Sequence, residues 1–336
     1  MELPLSQTLE SQPSLKEALS KFDSSAHQEF STITTASMLP HHRLFYHLHT
    51  IWLFTYTDLK TIVFPSSAFG IVTALSSSML QTIPLQPTSV LQRLPAVFLW
   101  TWLNLLPFCI GNQRQAGAIL EDKQNKPWRP VASGRLTPRQ AIHLQLSIYP
   151  LVLLASALIG GIPQSLILIV LEYWYNDLEN DKRSCVTRNL INASGFMVYS
   201  SGALAVALNG ESLPSQLYQW QLLACAVVAT TGHSQDMADQ DGDRLRDRKT
   251  VPLVFGDGVA RWSIAVTVSL WSVVAPRFWG LDFAGSLVSF VVGFVLSIRT
   301  LVIRDVGWDK TNFQIWNLWM VTLYLLPLIK ACIVLY

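Results

Sequence analysis

The run DMADQDGDRLRDRKTVP, from Asp236 to Pro252, follows a long apolar stretch and sets acids against bases within a few residues. Asp236, Asp239 and Asp243 fall at i, i+3, i+7, and Asp239, Asp243 and Asp247 at i, i+4, i+8, so a helix through the segment would put all four on one face. Stacked carboxylates repel one another, and a divalent cation relieves that repulsion. Hard oxygen ligands favour Mg2+ over zinc or copper. Arg244, Arg246, Arg248 and Lys249, interleaved with the acids, could hold an anion bridged by the metal, most economically a diphosphate. One or two aspartates in a loop would read as a solvated face. Four at helical intervals, followed at once by bases, favour a metal site.

A second polar stretch, GNQRQAGAILEDKQNKPWRPVASGRLTP, is longer and more polar than a connection between adjacent helices requires. Glu121 and Asp122 add two carboxylates and Asn112 a neutral oxygen ligand, while Lys126 and Arg129 stand close behind on a path stiffened by Pro127 and Pro130. Neighbours in sequence point in different directions on a helix, so one of the two acids is expected at the metal and the other at a cap or at Lys126. Asn176 and Asp177 directly continue an aromatic membrane segment; the acids after them read as the wet end of a helix. His233, three residues before Asp236, is open to a supporting role behind the metal site.

These residues need elements to hold them. Half of the 336 residues are apolar and only 14% are charged, which excludes an ordinary soluble domain and indicates an integral membrane protein. Apolar stretches able to cross a bilayer lie at about 61–80, 94–111, 139–161, 190–208, 217–233, 260–276, 283–301 and 313–335, with a weaker one at about 162–176. Nine transmembrane helices are therefore expected, the short fourth between Pro163 and Asn176 being the weakest. With nine spans, loop charges segregate: both polar motifs fall on the side of the N-terminus, and Arg93, Arg277 and Lys330 are the basic residues on the other side. The basic side is read as cytosolic. Residues 1–45, whose first forty are rich in Ser, Thr and Gln, are expected to form a disordered or surface-bound cytosolic tail, and 46–336 the transmembrane catalytic domain. Cys109, Cys185, Cys225 and Cys332 show no spacing for zinc or for a disulfide framework.

The runs NKPWRPVASGRLT and DMADQDGDRLRDRKTVP resemble the two signatures of the UbiA-type intramembrane prenyltransferase superfamily, and the resemblance covers the chain from about Lys60 onward. It implies an all-α integral membrane bundle around a central apolar cavity, with two acidic motifs at its cytosolic end binding Mg2+ and an isoprenoid diphosphate. The first motif departs from the family's NDxxDxxxD. Counting back from Asp122, the earlier aspartate positions hold Ala118 and Arg114 or Gln115, and Asn112 is displaced upstream. The second motif is intact, with Asp247 where a glycine is common. This pattern, with EYWYND (Glu172 to Asp177) and RNLINASGF (Arg188 to Phe196), is similar to a fungal branch that cyclises a linear prenyl diphosphate.

The expected chemistry is ionisation of an allylic diphosphate, with charge growing on the leaving group in the transition state. Asp239 and Asp243 are the expected catalytic pair. Metal would be held by Asp236, Asp239, Asp243, Asp247, Glu121, Asp122 and Asn112, and diphosphate by Lys126, Arg129, Arg244, Lys249 and Lys60. Trp100, Trp102, Phe108, Tyr173, Trp174, Tyr199, Trp271, Trp316 and Trp319 could face the carbocation or anchor the helices at the interface. The leading expectation is a terpene cyclase acting on farnesyl or geranylgeranyl diphosphate. The alternatives are a prenyltransferase for an aromatic or other small acceptor, and a transporter or structural membrane protein that merely binds ions through these loops. The lipid bilayer and the prenyl diphosphate are the expected partners, partner biosynthetic enzymes are left open, no nucleic acid is expected, and the endoplasmic reticulum is the expected membrane.

Overall fold

The computed structural model describes residues 40–80, 85–180, 183–211 and 215–335, which fold into helices with no strand among them. Helix α1 (Pro40–Thr55) precedes α2 (Leu59–Met79), whose first residues, Leu59–Val63, form a π turn. The expected tail boundary at residue 45 falls within α1, and residues 1–39 lie outside the described residues. Short α3 (Pro87–Gln92) leads into α4 (Leu94–Gln113), and the first polar motif forms α5 (Ala116–Asn125) and the loop after it. Helix α6 (Pro138–Ile159) starts at a reciprocal cap, in which Thr137 accepts from the Gln140 amide and the Gln140 side chain accepts from the Thr137 amide. Gly160 and Gly161, both at positive φ, turn the chain into α7 (Ile162–Glu172), which a π turn extends over Tyr173–Asp177.

Helix α8 (Cys185–Leu208) is capped by Ser184 and followed by α9 (Ser215–Thr231). The second motif is broken into a 3-10 turn (Gly232–Met237), α10 (Gln240–Leu245) and α11 (Val251–Phe255). The chain ends with α12 (Asp257–Phe278), α13 (Phe283–Val302), α14 (Val306–Tyr324) and α15 (Leu326–Leu335).

Seven segments are long and apolar enough to cross a membrane: α2, α4, α6, α8, α12, α13 and the run Val306–Leu335. The remaining two expected spans are helical but short, 11 residues in α7 and 17 in α9. At 1.5 Å per residue α9 reaches about 26 Å, less than the ~30 Å hydrocarbon core. By length and composition alone, seven of the nine expected spans meet the requirement among the described residues, while α7 and α9 are each continued by a π or 3-10 turn. The protein is a multi-pass membrane protein whose outer faces carry exposed Leu146, Leu151, Leu154 and Leu158 on α6 and Phe290, Phe294 and Ile298 on α13.

Two packing contacts position the site. Helix α2, the most buried span, lies against α8 through Gly70, where a Cβ would meet the Ala203 backbone carbon at 2.6 Å. Helices α5 and α10 pack together with Gly242 over Glu121 and Asn125, which joins the two polar motifs.

Candidate active site

Several helix ends converge on one cavity. Asp58 stands just before α2, Asn112 in the last turn of α4, Glu121 on α5 and Arg188 in the first turn of α8; Lys126 and Arg129 come from the following loop, and Asp239 and Arg248 from the second motif. Deeper along the same helices the lining becomes apolar, with Ile62, Leu105, Phe108, Leu168, Ile191, Phe196 and Tyr199. From Arg188 to Tyr199 the helix advances about 16 Å. The cavity therefore has a charged head and a hydrocarbon tail with aromatic faces.

In the head nearly every charge has a partner. Arg188 bonds Asp236 Oδ1 at 2.7 Å and donates to the Tyr175 hydroxyl. Arg248 bridges the motifs, reaching Glu121 Oε1 at 2.9 Å and Asp243 Oδ1 at 3.1 Å. Arg246 donates to Glu121 Oε2 at 3.1 Å and to Asn112 Oδ1 at 3.0 Å. Arg129 joins Asp122 at 2.9 Å to Asp58 at 3.2 Å, and Lys126 stands 3.6 Å from Asp239.

The electrostatics follow from this wiring. Burial would raise the Glu121 carboxyl, but Arg248, Arg246 and Lys126 hold it down at about 2. Burial and then Asp236 push Asp243 up to about 7 against the pull of Arg188 and Arg248. Burial likewise raises Asp122, opposed by Arg129.

The structure brings most of the expected residues together and sends others away. Asp236 and Asp243 are buried and Asp239 is half-exposed at the cavity. Asp247 leaves this set: α10 ends at Leu245, and Asp247 adopts a left-handed φ of 56° with its side chain exposed. No continuous helix carries the four aspartates, because a 3-10 turn and a turn at Ala238 and Asp239 interrupt it. Arg244 is exposed and pairs with Asp241, Lys249 is exposed, and Lys60 is exposed and does not line the cavity. Asp58 pairs with Arg129 and not with Lys60. His233 bonds Ser263 at 2.7 Å.

Arg248, one of the interleaved bases expected to hold an anion, lines the cavity, and Arg188 adds a head-group cation that the sequence reading did not single out. The available signal for Arg188 was a charge in the first turn of an apolar span. Among the aromatic residues, Phe108 and Tyr199 line the cavity as expected, joined by Tyr175 and Phe196. Trp100, Trp316 and Trp319 are packed in the core, and Tyr173 and Trp174 face outward.

The donor chemistry of the head fits a hard cation. Asp122 Oδ2, Asp236 Oδ2 and Asp243 Oδ2 are buried carboxylate oxygens without a hydrogen-bond partner. Among the described residues no three acidic, His or Cys side chains already form a metal cluster, since each acid also leans on a cationic side chain.

The family model described as the UbiA prenyltransferase family matches residues 118–320, which include both polar motifs from Glu121 on. The chain is 33% identical over 232 residues to the fumagillin beta-trans-bergamotene synthase of Aspergillus fumigatus, covering 69% of this chain and 75% of that protein. The chain belongs to the UbiA prenyltransferase family. This UbiA-family chain is also 27% identical to a polyprenyl transferase of Hericium erinaceus, over 63% of this chain and 70% of that protein. Its fold matches that of a UbiA homologue from Archaeoglobus fulgidus solved with GPP and Mg2+, with a TM-score of 0.52 at 14% identity, over 80% of this chain and 98% of the other. It is a UbiA-family enzyme, a terpene cyclase or a prenyltransferase.

Proposed function

We propose that this enzyme is a Mg2+-dependent, membrane-bound terpene cyclase that ionises a linear prenyl diphosphate, farnesyl or geranylgeranyl diphosphate, and closes the resulting cation on its own alkenes. The observation that carries this reading is the cavity whose charged head gives way, along α8, to an aromatic tail. Lys126, Arg129, Arg188 and Arg248 would orient the diphosphate and stabilise charge as it develops there. Phe108, Tyr175, Phe196 and Tyr199 would stabilise the cation with their ring faces and exclude water.

Five cationic side chains in the head, Lys126, Arg129, Arg188, Arg246 and Arg248, are matched by six carboxylates, Asp58, Glu121, Asp122, Asp236, Asp239 and Asp243. The head thus has no surplus positive charge for a polyanion, and a cation from solution must accompany the substrate. Asp236, Asp239 and Asp243, supported by Glu121 and Asp122, are the residues that would hold Mg2+. When bound, the ion supplies Lewis-acid stabilisation of the leaving group.

The cyclase is preferred to acceptor transfer because the first acidic motif is altered and because of the 33% identity with a terpene synthase. The likeness to a polyprenyl transferase supports the second reading, transfer to an aromatic or other small acceptor. The catalytic unit is taken as 46–336 in the endoplasmic reticulum membrane, and its charged end is taken as cytosolic on the basic bias of the loops beside the two motifs.

The test is to incubate membranes carrying the protein with Mg2+ and, separately, geranyl, farnesyl and geranylgeranyl diphosphate. A cyclic hydrocarbon absent from Asp239→Ala membranes is expected. Product formed only after an aromatic acceptor is added would replace the cyclase by the transferase.

A further inference from the structure

Glu172, the last residue of α7, lines the cavity beside Leu168 and Leu171, three residues before Tyr175, and is 2% exposed. Its setting differs from that of the head-group acids. Those carboxylates are tied to Arg or Lys, whereas among the described residues Glu172 has no cation at ion-pair distance and is held by neutral donors alone. The Tyr149 hydroxyl donates to Oε2 at 2.5 Å, and the Gln145 amide donates to Oε1. Gln145 is itself fixed by Arg114, whose Nε donates to Gln145 Oε1 at 2.9 Å, while the Arg114 guanidinium pairs with Asp177. Gly111 on α4 leaves room for the carboxyl: a Cβ there would lie 2.5 Å from Glu172 Oε1. A buried carboxyl is thus delivered to the cavity beside its apolar lining by three helices, α4, α6 and α7, with no cation at ion-pair distance among the described residues.

We propose that Glu172 is the base that ends the carbocation sequence, an assignment that rests on the cyclase reading above. A cyclised cation becomes a neutral hydrocarbon by losing a proton from a carbon next to the cationic centre. The C–H bond breaks, its electron pair becomes the new alkene bond, and the proton passes to the Glu172 carboxylate. The proton then leaves with the diphosphate or to water as product departs, which restores the carboxylate. Glu172 can accept it without breaking an ion pair, unlike Glu121, Asp236 or Asp243. Tyr149 and Gln145 are positioning residues that fix which carbon faces the carboxylate.

The experiment measures diphosphate release and hydrocarbon profile separately, in membranes with Mg2+ and the prenyl diphosphate that the wild type cyclises. Glu172→Gln should keep release within about tenfold of wild type, while the wild-type hydrocarbon falls at least about fivefold relative to other alkenes or water-captured alcohols. Glu172→Asp should retain the wild-type hydrocarbon as the main product. If Glu172→Gln does not fold, Tyr149→Phe, which keeps the carboxyl, should shift the profile in the same direction with release preserved. An unchanged profile in the folded variant, or parallel loss of release and product with the profile intact, overturns the role as base. A wild type that releases diphosphate only with an added acceptor overturns the cyclase reading, and this role with it.

Discussion

Arg244 and Arg248 are four residues apart, and the end of α10 between them decides what each can do. Arg248 is buried against Glu121 and Asp243, whereas Arg244 forms a surface pair with Asp241. Arg244→Ala should change turnover by less than about twofold and stability by under ~1 kcal/mol. Arg248→Ala strands buried Asp243 and leaves Glu121 with Arg246 alone, and should cost about 3–5 kcal/mol in stability, with turnover lost. Thermal unfolding in detergent beside a diphosphate-release assay separates the two. The aspartates divide in the same way. Asp239→Asn should reduce release at least about 100-fold, and Asp247→Asn should leave it within about threefold because that side chain points out of the cavity. Comparable losses in both variants would restore Asp247 to the site. The order of the residues made the acid–base cluster legible, because so many acids followed at once by bases after an apolar span favour a metal site over a solvated loop. Its internal division was not legible, because an i, i+4 count assumes an unbroken helix and the chain instead makes a 3-10 turn and a left-handed residue.

At the scale of the elements, α8 carries Arg188, Ile191, Asn192, Phe196 and Tyr199 to the cavity at intervals that keep them on one face. Its position depends on α2, which packs closely against it where Gly70 meets the Ala203 backbone. Gly70→Ala inserts a methyl group where the nearest atoms are backbone, so the helices must part. Overpacking of this kind should destabilise the bundle by about 1–3 kcal/mol, read as a lower unfolding temperature in detergent. An unchanged unfolding temperature would show that the two helices can slide without cost. Long apolar runs announce the large spans directly, since bilayer thickness fixes their length. Helices α7 and α9 were harder to judge because each gives residues to a polar end: α7 runs into a π turn carrying Tyr175 and Asn176, and α9 gives way to the 3-10 turn carrying Asp236.

At the scale of the whole molecule, the near-neutral head makes binding of cation and substrate interdependent. A diphosphate entering alone would meet arginines already engaged by carboxylates, and a divalent cation entering alone would meet carboxylates already engaged by arginines. Together they allow each set of charges to exchange one partner for another, so each should raise the affinity for the other by the same factor. With a prenyl thiolodiphosphate, which ionises slowly, Mg2+ alone and analogue alone should each shift the unfolding temperature little. The pair should give a stabilisation approaching about 2.7 kcal/mol when the analogue reaches a hundredfold excess over its Kd. Asp239→Asn should lose the combined shift while keeping the unfolding temperature of the ligand-free wild type, since Asp239 is half-exposed and its contact with Lys126 is long. If the analogue stabilised the protein equally with and without Mg2+, the arginines alone would suffice to hold the diphosphate, and the pairing seen in the head would not oppose its binding.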